Sequence, residues 1–261
     1  MTTKKGIHTA VLIGAGNVAT HLGNALVNKG IKVLQVYSPS GTTAKTLAKK
    51  LQAKPIADLK AIDTAADIII VAIKDDALPT IGKQLRVGNT LVVHTSGATP
   101  ADVLKKCSTN YGVFYPFQTF NKNVKADFAA IPICIEANNP KAEKQLEGLA
   151  KLLVNNYYKL NSDQRHWLHI MGVFSSNFSN LMYHITHTIA GQQNIPFDIV
   201  YPLIKQTAAK VEGNIPAAVQ TGPAVRGDKK VVKMHLKKLE ENKEFQKIYS
   251  LLSNAIENIN N

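Results

Sequence analysis

A glycine-rich turn near the N-terminus constrains the fold of this chain more than any other feature. The apolar run 10–13 leads into Gly14-Ala15-Gly16-Asn17-Val18-Ala19, and an amphipathic segment follows at once. A strand, a tight G-x-G-x-x-A turn and a helix in this order are typical of dinucleotide binding. Gly14 permits the turn, Gly16 leaves room for a pyrophosphate, and Ala19 lets the helix pack closely on the strand. The cofactor contacts expected in this turn come from Gly14, Gly16, Asn17, Val18 and Ala19. A glycine turn that binds nothing is the alternative.

Strand-like and helix-like segments alternate over the first part of the chain. Strands are expected near 7–13, 31–37, 67–73, 90–94, 111–115 and 131–135, and helices near 17–29, 41–53, 76–85, 100–106 and 140–154. Near-continuous apolar strands such as 67–73 indicate a sheet that is covered on both faces, and the alternation indicates parallel βαβ units. The pattern therefore predicts an α/β fold whose N-terminal domain, residues 1–158, is a Rossmann-type, mostly parallel sheet.

The pattern becomes helical in the remaining residues. Residues 161–190 contain no proline and a single glycine, so they predict one long helix. Asn161 or Ser162 can cap its start, and Gly191 can end it. Such a helix would be about 45 Å long and would form a spine for other helices. Residues 159–261 are therefore predicted to be an all-helical domain for substrate binding and dimerisation.

Composition narrows the class of protein. The net charge is +13, but arginine is scarce and the lysines are scattered, so no nucleic-acid partner is expected. Attraction of an anionic cofactor or substrate is the simpler use of this charge. No apolar run is long enough to span a membrane, and the first residues show no secretion signal. Cys107 and Cys134 lie far apart and outside any metal or redox pattern, which favours reduced thiols in a cytoplasmic protein.

The end of the second strand indicates which dinucleotide is bound. In NAD-binding proteins an acidic residue at this position holds the ribose 2′-hydroxyl. Here the segment 38–45 reads Ser-Pro-Ser-Gly-Thr-Thr-Ala-Lys and contains no carboxylate. Hydroxyl groups and a lysine can instead hold a 2′-phosphate, so NADP is favoured and NAD remains possible. The contacts expected are Ser38, Ser40 and Lys45. A hydroxyl-rich helix cap without cofactor significance is the alternative.

Two further strand ends face the same edge of the sheet. Ligands of open α/β sheets lie at the carboxyl ends of the strands. The backbone of Ala72, Ile73 and Lys74 and the turn at Ser96-Gly97 are therefore expected to contact the nicotinamide half of the cofactor. Ser96 is also a substrate-binding candidate. The neighbouring His94 is expected to support its turn rather than to transfer a proton.

Polar residues on the long helix form the candidate catalytic face. His169, Val173 and Asn177 are spaced by four residues and share one helical face. Asn180 lies beside them, and the helix was expected to be buried because of its apolar residues Phe174, Phe178, Leu181 and Met182. A buried amide needs a partner, which is either a ligand or a backbone carbonyl. His169 is either a proton donor or a structural histidine, and both readings stay open here.

The other histidines of this helix do not predict a metal site. His166 and His169 form one i, i+3 pair, and His184 and His187 form a second. On a continuous helix the two pairs lie about 22 Å apart, so they cannot share an ion. No carboxylate or thiolate nearby completes either pair, and no metal is expected.

A glycine- and proline-rich loop at 220–228 contains one of the three arginines. Arg226 can hold a carboxylate or phosphate in bidentate fashion, which makes it a substrate-binding candidate. The alternative is an ion pair between Arg226 and Asp228 that braces the loop.

These motifs together resemble a family of bacterial Rossmann-like proteins that carry a C-terminal domain of unknown function and are described as NADP oxidoreductases. The resemblance covers the whole chain and rests on GAGNVATHLG, VAIKDDAL, HTSG, YPFQTF at 115–120, HIMGVFSSNFSN at 169–180 and QTGPAVRGD. The family is similar to pyrroline-carboxylate reductase and the β-hydroxyacid dehydrogenases. Two positions depart from its pattern: Pro39 stands where relatives often have a basic residue, and Tyr115-Pro116 where they often have His-Pro.

The resemblance implies an often dimeric, helical C-terminal domain whose long helix faces the nicotinamide. Related dehydrogenases carry a proton-donating lysine on this helix, but no lysine lies on that face here. His169 would therefore be the donor and Asn177 the orienting amide. The sequence predicts an NADP(H)-dependent reductase, expected to be a homodimer, of a small acidic ketone or imine bound by Ser96, Asn180 and Arg226. The alternative is a non-enzymatic dinucleotide-binding sensor or protein-interaction module.

Overall fold

The computed structural model describes residues 6–260, and the chain divides into two compact units. The first unit ends at Asn177 and the second begins at Phe178. This division falls inside the long helical segment, whereas the predicted domain boundary lies after residue 158. The start of that segment belongs to the first unit because Arg165 is hydrogen-bonded to the sheet edge of that unit. Residues 1–5, on which the argument about a secretion signal partly rests, lie outside the described residues.

The first unit is built on an eight-stranded sheet. Its strands are β1 (Thr9–Ile13), β2 (Lys32–Tyr37), β3 (Lys54–Ile56), β4 (Ile68–Val71), β5 (Leu91–His94), β6 (Tyr111–Pro116), β7 (Ile133–Ala137) and β8 (Tyr157–Lys159). Their order across the sheet is β3-β2-β1-β4-β5-β6-β7-β8, and every neighbouring pair is parallel except β6 and β7. The first six follow the order of a doubly wound dinucleotide-binding sheet, with the switch point between β1 and β4. The predicted α/β, mostly parallel Rossmann-type sheet is therefore confirmed.

Helices cover both faces of this sheet. They are α1 (Asn17–Asn28), α2 (Gly41–Leu51), α3 (Leu78–Gln84) and α4 (Pro140–Leu153). Alternate residues of β1 point to opposite faces, as strand geometry requires. Leu12 packs in one core cluster with leucines of α1, α2 and α4, whereas Val11 and Ile13 pack in the other with Leu78 and Ile81 of α3. Burial on both faces explains why the central strands consist of almost uninterrupted Val, Ile and Leu.

Some short elements differ from the prediction. The helix expected at 100–106 is only a 3-10 turn at Ala101–Leu104. A helix of that length is marginal on its own, and here the chain turns directly into β6. The three-residue strands β3 and β8 were not predicted, since so short a strand shows no alternation. β7 runs antiparallel to β6 because a loop rather than a full crossover helix joins the two strands.

The long helical segment is not one uniform α-helix. It consists of α5 (Ser162–Gly172), a π-helical part at Val173–Phe178 and α6 (Ser179–Gln192). Asn161 caps α5 in a capping box with Gln164, as the sequence indicated. The prediction of a continuous α-helix is thus wrong in its middle part. π-Helical turns of this kind occur frequently at functional sites.

The expected burial of this segment is also wrong. The side chains of Phe174, Phe178 and Leu181 are 66%, 46% and 42% exposed, because other elements of the described chain do not fully cover them. Asn177 and Asn180 are exposed as well. Their amides can therefore be hydrated, and burial no longer argues that they need a ligand.

The second unit is helical throughout its described residues, which confirms the predicted all-helical C-terminal part. After α6 it contains α7 (Tyr201–Lys210), α8 (Lys229–Lys238) and α9 (Lys243–Asn260). Short 3-10 turns at Phe197–Val200 and Pro216–Val219 separate these helices. His235 of α8 and Tyr249 of α9 join their helices, with Nδ1 and Oη 2.8 Å apart. Across residues 6–260, no helix is long and apolar enough to cross a membrane.

Candidate cofactor and substrate site

The glycine turn after β1 has the geometry that a dinucleotide requires. Gly14 has a φ of +117°, and a Cβ atom on it would lie 2.1 Å from the carbonyl oxygen of Ala72. Its N–H donates to the carbonyl of Tyr37 at 2.8 Å, so the turn is fixed between β2 and β4. Only glycine can occupy this position, since the left-handed conformation and the close backbone both exclude a side chain. The turn thus lies at the switch point of the sheet.

The start of α1 leaves backbone donors without protein acceptors. The first intrahelical bond runs from the N–H of Thr20 to the carbonyl of Gly16 at 3.0 Å, and no side chain caps this end. The N–H groups of Asn17, Val18 and Ala19 therefore have no acceptor within the helix. A Cβ atom on Gly16 would meet nothing within 4 Å, so there is open space in front of these donors. Free N–H groups facing open space fit the pyrophosphate of a dinucleotide.

The side chain of Asn17 has a separate task. Its Nδ2 donates to the carbonyl of Phe120 at 2.9 Å, and its Oδ1 accepts from the N–H of Lys122 at 3.3 Å. His21, one turn further on, lies 3.0 Å from the carbonyl of Asn121. These contacts tie α1 to the loop that follows β6. Asn17 can therefore offer a cofactor its backbone N–H but not its amide.

The end of β2 presents hydroxyl groups and no carboxylate. Ser38 Oγ lies 3.0 Å from Thr43 Oγ1, and Thr43 donates to the carbonyl of Ser40 at 3.0 Å. The side chain of Ser40 does not cap α2, so the N–H groups at the start of that helix also lack an acceptor. Lys45 is exposed one turn further on. The hydroxyl pair braces the turn, and the free N–H groups and Lys45 fit a 2′-phosphate.

The ends of β4 and β5 lie beside the glycine turn. The N–H of Ala72 donates to the carbonyl of Ile13 at 2.7 Å, and the N–H of Thr95 donates to the carbonyl of Val71 at 3.2 Å. Ile73 and Lys74 continue from this edge toward solvent, Ile73 half-buried and Lys74 exposed. The predicted nicotinamide-contacting backbone is thus next to the turn that would hold the phosphates.

The turn after β5 is held by its own side chains. Ser96 Oγ accepts from the N–H groups of Ala98 and Thr99 at 3.1 and 2.9 Å and donates to the Thr99 hydroxyl. His94 Nδ1 accepts from the N–H of Ser96 at 3.1 Å. Because the Ser96 hydroxyl is engaged within the turn, what this segment offers a ligand is backbone.

His94 is a structural histidine, as expected. It is fully buried, and its Nε2 donates to the carbonyl of Pro100 at 3.3 Å. Burial, with a smaller effect of the positive charge on Arg165, lowers the pKa of His94 to about 4. The ring is therefore neutral near pH 7 and serves the turn.

A buried ion pair locks α5 to this edge of the sheet. The guanidinium of Arg165, 1% exposed, pairs with the carboxylate of Glu136 at the end of β7. It also donates to the carbonyl of Ser96 at 3.1 Å and to that of Thr99. The Ser162 hydroxyl donates to the same carboxylate at 2.9 Å. Arg165 thus joins the turn after β5, the sheet and α5, a role that the sequence analysis missed. Its one signal was the choice of arginine in a lysine-rich chain.

Within the first unit, a cavity of about 180 Å³ lies between the loop after β6 and the helical segment. Its lining residues are Tyr115, Phe117, Gln118, Thr119, His169, Gly172, Val173, Ser175, Ser176 and Asn177. Tyr115 Oη lies 3.3 Å from His169 Nδ1, and Thr119 Oγ1 lies 3.2 Å from Ser176 Oγ. Burial raises the pKa of the Tyr115 phenol to about 12, so this hydroxyl keeps its proton at neutral pH. The cavity thus combines an imidazole, a phenol and small hydroxyls, which suits proton transfer to a small polar molecule.

The structure brings together some of the predicted catalytic residues. His169, Val173 and Asn177 all line this cavity, although the π-helical turn replaces the expected α-helical spacing. Tyr115, Thr119 and Ser176 were missed as site residues. Tyr115 and Thr119 belong to the YPFQTF stretch, which served above only as a family marker. Their position after β6, at the same sheet edge as the other strand ends, was the available signal.

Asn180 and Arg226 belong to the second unit. Both side chains are exposed. Asp228 Oδ1 accepts from the N–H of Val231 at 3.4 Å and caps α8. Among the described residues, no ion pair joins Arg226 to Asp228, so the bracing alternative has no support.

The remaining titratable groups form no further site. Cys107 and Cys134 are both free and buried, as expected for reduced thiols. Between residues 6 and 260, no three His, Cys, Asp or Glu side chains come together in a way that could hold a metal ion.

The fold and the free helix start at the switch point define a dinucleotide-binding protein of the Rossmann class. Two family models match the chain: "Rossmann-like domain" over residues 3–115 and "Domain of unknown function (DUF2520)" over residues 131–256. A solved structure from Bacteroides fragilis, described as a "putative NADP oxidoreductase", is 40% identical to this chain. It matches 97% of this chain and 98% of its own, with a TM-score of 0.91. The chain belongs to this family of Rossmann-like proteins with a DUF2520 domain.

More distant structures share the fold. A 1-pyrroline-5-carboxylate reductase from Streptococcus pyogenes is 13% identical over 96% of this chain and 98% of its own, with a TM-score of 0.64. An imine reductase from Myxococcus stipitatus, in complex with NADP⁺, is 15% identical over 96% and 92%, with a TM-score of 0.66. At these identities the likeness shows the fold alone. The structural neighbours are thus oxidoreductases, and no curated protein matches the chain.

Proposed function

We propose that this protein is an NADPH-dependent reductase of a small ketone or imine. The observation that carries the proposal is the pairing of Tyr115 and His169 in a cavity of the same unit that presents the glycine turn. An imidazole and a phenol beside a dinucleotide site are the groups that a reductase needs to add a proton to its substrate. A protein that only binds a dinucleotide has no need of such a pair.

The cofactor would be held by backbone more than by side chains. The free N–H groups at the start of α1 would bind the pyrophosphate. The free N–H groups at the start of α2, with Lys45, would bind the 2′-phosphate, and the lack of an acidic residue at Ser38 favours NADP over NAD. The Bacteroides fragilis relative is described as an NADP oxidoreductase, which supports the same choice. When bound, NADPH supplies the hydride.

The protein's own residues would supply the rest of the chemistry. His169 would be the source of the proton that the reduced product gains. Asn177 and the hydroxyls of Thr119 and Ser176 would orient the substrate through hydrogen bonds. The cavity lining contains no lysine or arginine, so an acidic group on the substrate would need another partner. Arg226 and Asn180 stay candidates for that role because of their chemistry.

The Arg226 assignment has its own test. Arg226→Gln should raise KM for keto acids and leave KM for uncharged ketones unchanged, because only the former lose a charge-assisted hydrogen bond. Equal effects on both kinds of substrate would remove Arg226 from the site.

We also propose that the protein is a homodimer. Large apolar side chains are exposed in both units, among them Trp167 (62%), Met171 (60%), Ile199 (69%) and Leu203 (63%). Exposed apolar groups in such number are typical of an interaction surface. Leu203→Glu should shift the protein toward monomer in analytical ultracentrifugation, whereas Lys205→Glu on the same helix should not. A wild-type monomer would contradict this proposal.

The main experiment is a titration with NADPH and NADH followed by a substrate panel. We expect NADPH to raise the melting temperature and to bind more tightly than NADH. Keto acids and cyclic imines, with uncharged ketones for comparison, would then be screened by the loss of reduced-cofactor absorbance. NADPH binding without any turnover would favour the non-enzymatic sensor, and absence of both would overturn the proposal.

A further inference from the structure

Tyr115 and His169 come from distant parts of the chain and meet in the cavity lining. Tyr115 lies near the end of β6, and His169 lies in α5, 54 residues later. The phenol oxygen is 3.3 Å from Nδ1, and the ring centroids are 6.4 Å apart. The second ring nitrogen, Nε2, takes no part in this contact. The geometry therefore links the phenol to one specific nitrogen of the imidazole.

Gly97 brings this pair against the turn that follows β5. A Cβ atom on Gly97 would lie 2.8 Å from His169 Nδ1 and 2.9 Å from Tyr115 Oη. Both polar atoms thus touch backbone at the sheet edge where ligands of this fold bind. Any side chain at this position would force the two atoms apart or push them away from the edge.

The chemistry of the two groups is complementary. Burial is the main reason why the pKa of Tyr115 is raised to about 12, and nearby Cys134 and Asp75 add to the effect while Arg165 opposes it. A phenol with so high a pKa is protonated at neutral pH, but its anion is costly in this position. It can donate a proton only if another group replaces that proton at once. An imidazole, which changes charge near neutral pH, is suited to this task.

We infer that Tyr115 hands the proton to the substrate and that His169 restores it. This inference rests on the proposed function. As the carbon of the C=O or C=N bond receives hydride from NADPH, the proton on Tyr115 Oη moves to the oxygen or nitrogen of that bond. The Nδ1 proton of the His169 imidazolium moves to Oη, and the ring becomes neutral with its remaining proton on Nε2. The phenol is regenerated, and the substrate gains one hydride and one proton.

Kinetics of three variants test this order of transfer. Tyr115→Phe should lower kcat by about 10²- to 10⁴-fold, the usual contribution of a positioned acid. His169→Ala should cost less, because water can reprotonate Tyr115 more slowly. Tyr111→Phe is the matched control: Tyr111 lies on the same strand, and its hydroxyl donates to Asp102 at 3.0 Å. A larger loss in His169→Ala than in Tyr115→Phe, or a wild-type rate in Tyr115→Phe, would overturn the inference. A wild-type protein that reduces nothing in the panel would instead contradict the proposed function.

A second measurement needs no cofactor and no substrate. The ¹⁵N resonances of the His169 ring report on the partner of each nitrogen. Tyr115→Phe should shift the Nδ1 signal of His169, and Tyr111→Phe should leave it in place. An unchanged signal in Tyr115→Phe would overturn the inference whatever the activity. Gly97→Ala keeps both side chains but pushes them apart, so it should shift the same signal, and thermal melting would show that the variant is folded.

Discussion

Arg165 and Glu136 form an ion pair that joins the first turns of α5 to the end of β7. The guanidinium is buried, whereas the carboxylate side chain is 22% exposed. Because Arg165 also donates to the carbonyls of Ser96 and Thr99, one side chain holds the turn after β5 and the helix of the cavity in place.

Removing this guanidinium should destabilise the first unit strongly. Arg165→Met leaves two carbonyls and a carboxylate without their donor, and breaking such a buried pair costs about 3 kcal/mol or more. Lys159→Met is the control, because Lys159 pairs with Glu143 and Glu147 on the surface, where the effect of an ion pair is small. Urea unfolding would measure both free energies. Equal stability of the two variants would show that the buried network is not important for the fold.

The two glycines of the turn after β1 should fail in different ways. Gly16→Val meets no protein atom, so it should fold normally but obstruct the pyrophosphate and weaken NADPH binding by about 100-fold, or roughly 2.7 kcal/mol. Gly14→Ala should instead lower stability, because its methyl group would collide with Ala72 at a positive φ. Melting temperature with and without NADPH separates the two effects. Unchanged NADPH affinity in Gly16→Val would place the cofactor elsewhere.

An acid introduced at the end of β2 should change the cofactor preference. Ser38→Asp would offer a carboxylate to a ribose 2′-hydroxyl and repel a 2′-phosphate. We expect NADPH to bind about tenfold more weakly and NADH more tightly, which corresponds to roughly 1.4 kcal/mol for NADPH. Fluorescence titration with both cofactors would measure this ratio. Ser38→Ala, which removes the hydroxyl without adding charge, is the control, and a parallel loss for both cofactors would contradict the assignment.

His94 should make stability depend on pH in acid. Its pKa is about 4 in the folded protein, below the value of 6.5 for a free histidine, so the unfolded chain takes up the proton first. Stability is therefore complete above about pH 6.5 and falls as the pH drops toward 4, by about 3 kcal/mol in total. His94→Gln should be less stable at pH 7 and should lose less on acidification. Urea unfolding at several pH values gives both slopes, and equal slopes would contradict the role of His94.

The parts of the site that follow from local sequence were predictable. The Gly14–Ala19 turn, the missing acid at Ser38 and the Asn161 cap depend on residues that are neighbours in the chain, so motif and spacing suffice. The contact between Tyr115 and His169 spans 54 residues, and that between Glu136 and Arg165 spans 29. Such pairs depend on how α5 packs against the sheet, which no periodicity reveals. The π-helical part and the exposure of Phe174 escaped prediction for the same reason.

Asn17 stands at the first position of the cofactor helix, yet its amide holds the loop from Phe120 to Lys122. That loop continues from Gln118 and Thr119, which form part of the cavity wall. Occupancy of the helix start and the shape of the cavity are therefore mechanically linked through one side chain. A substrate would meet a finished wall only after the dinucleotide has settled, which favours a sequential order of binding with the cofactor first.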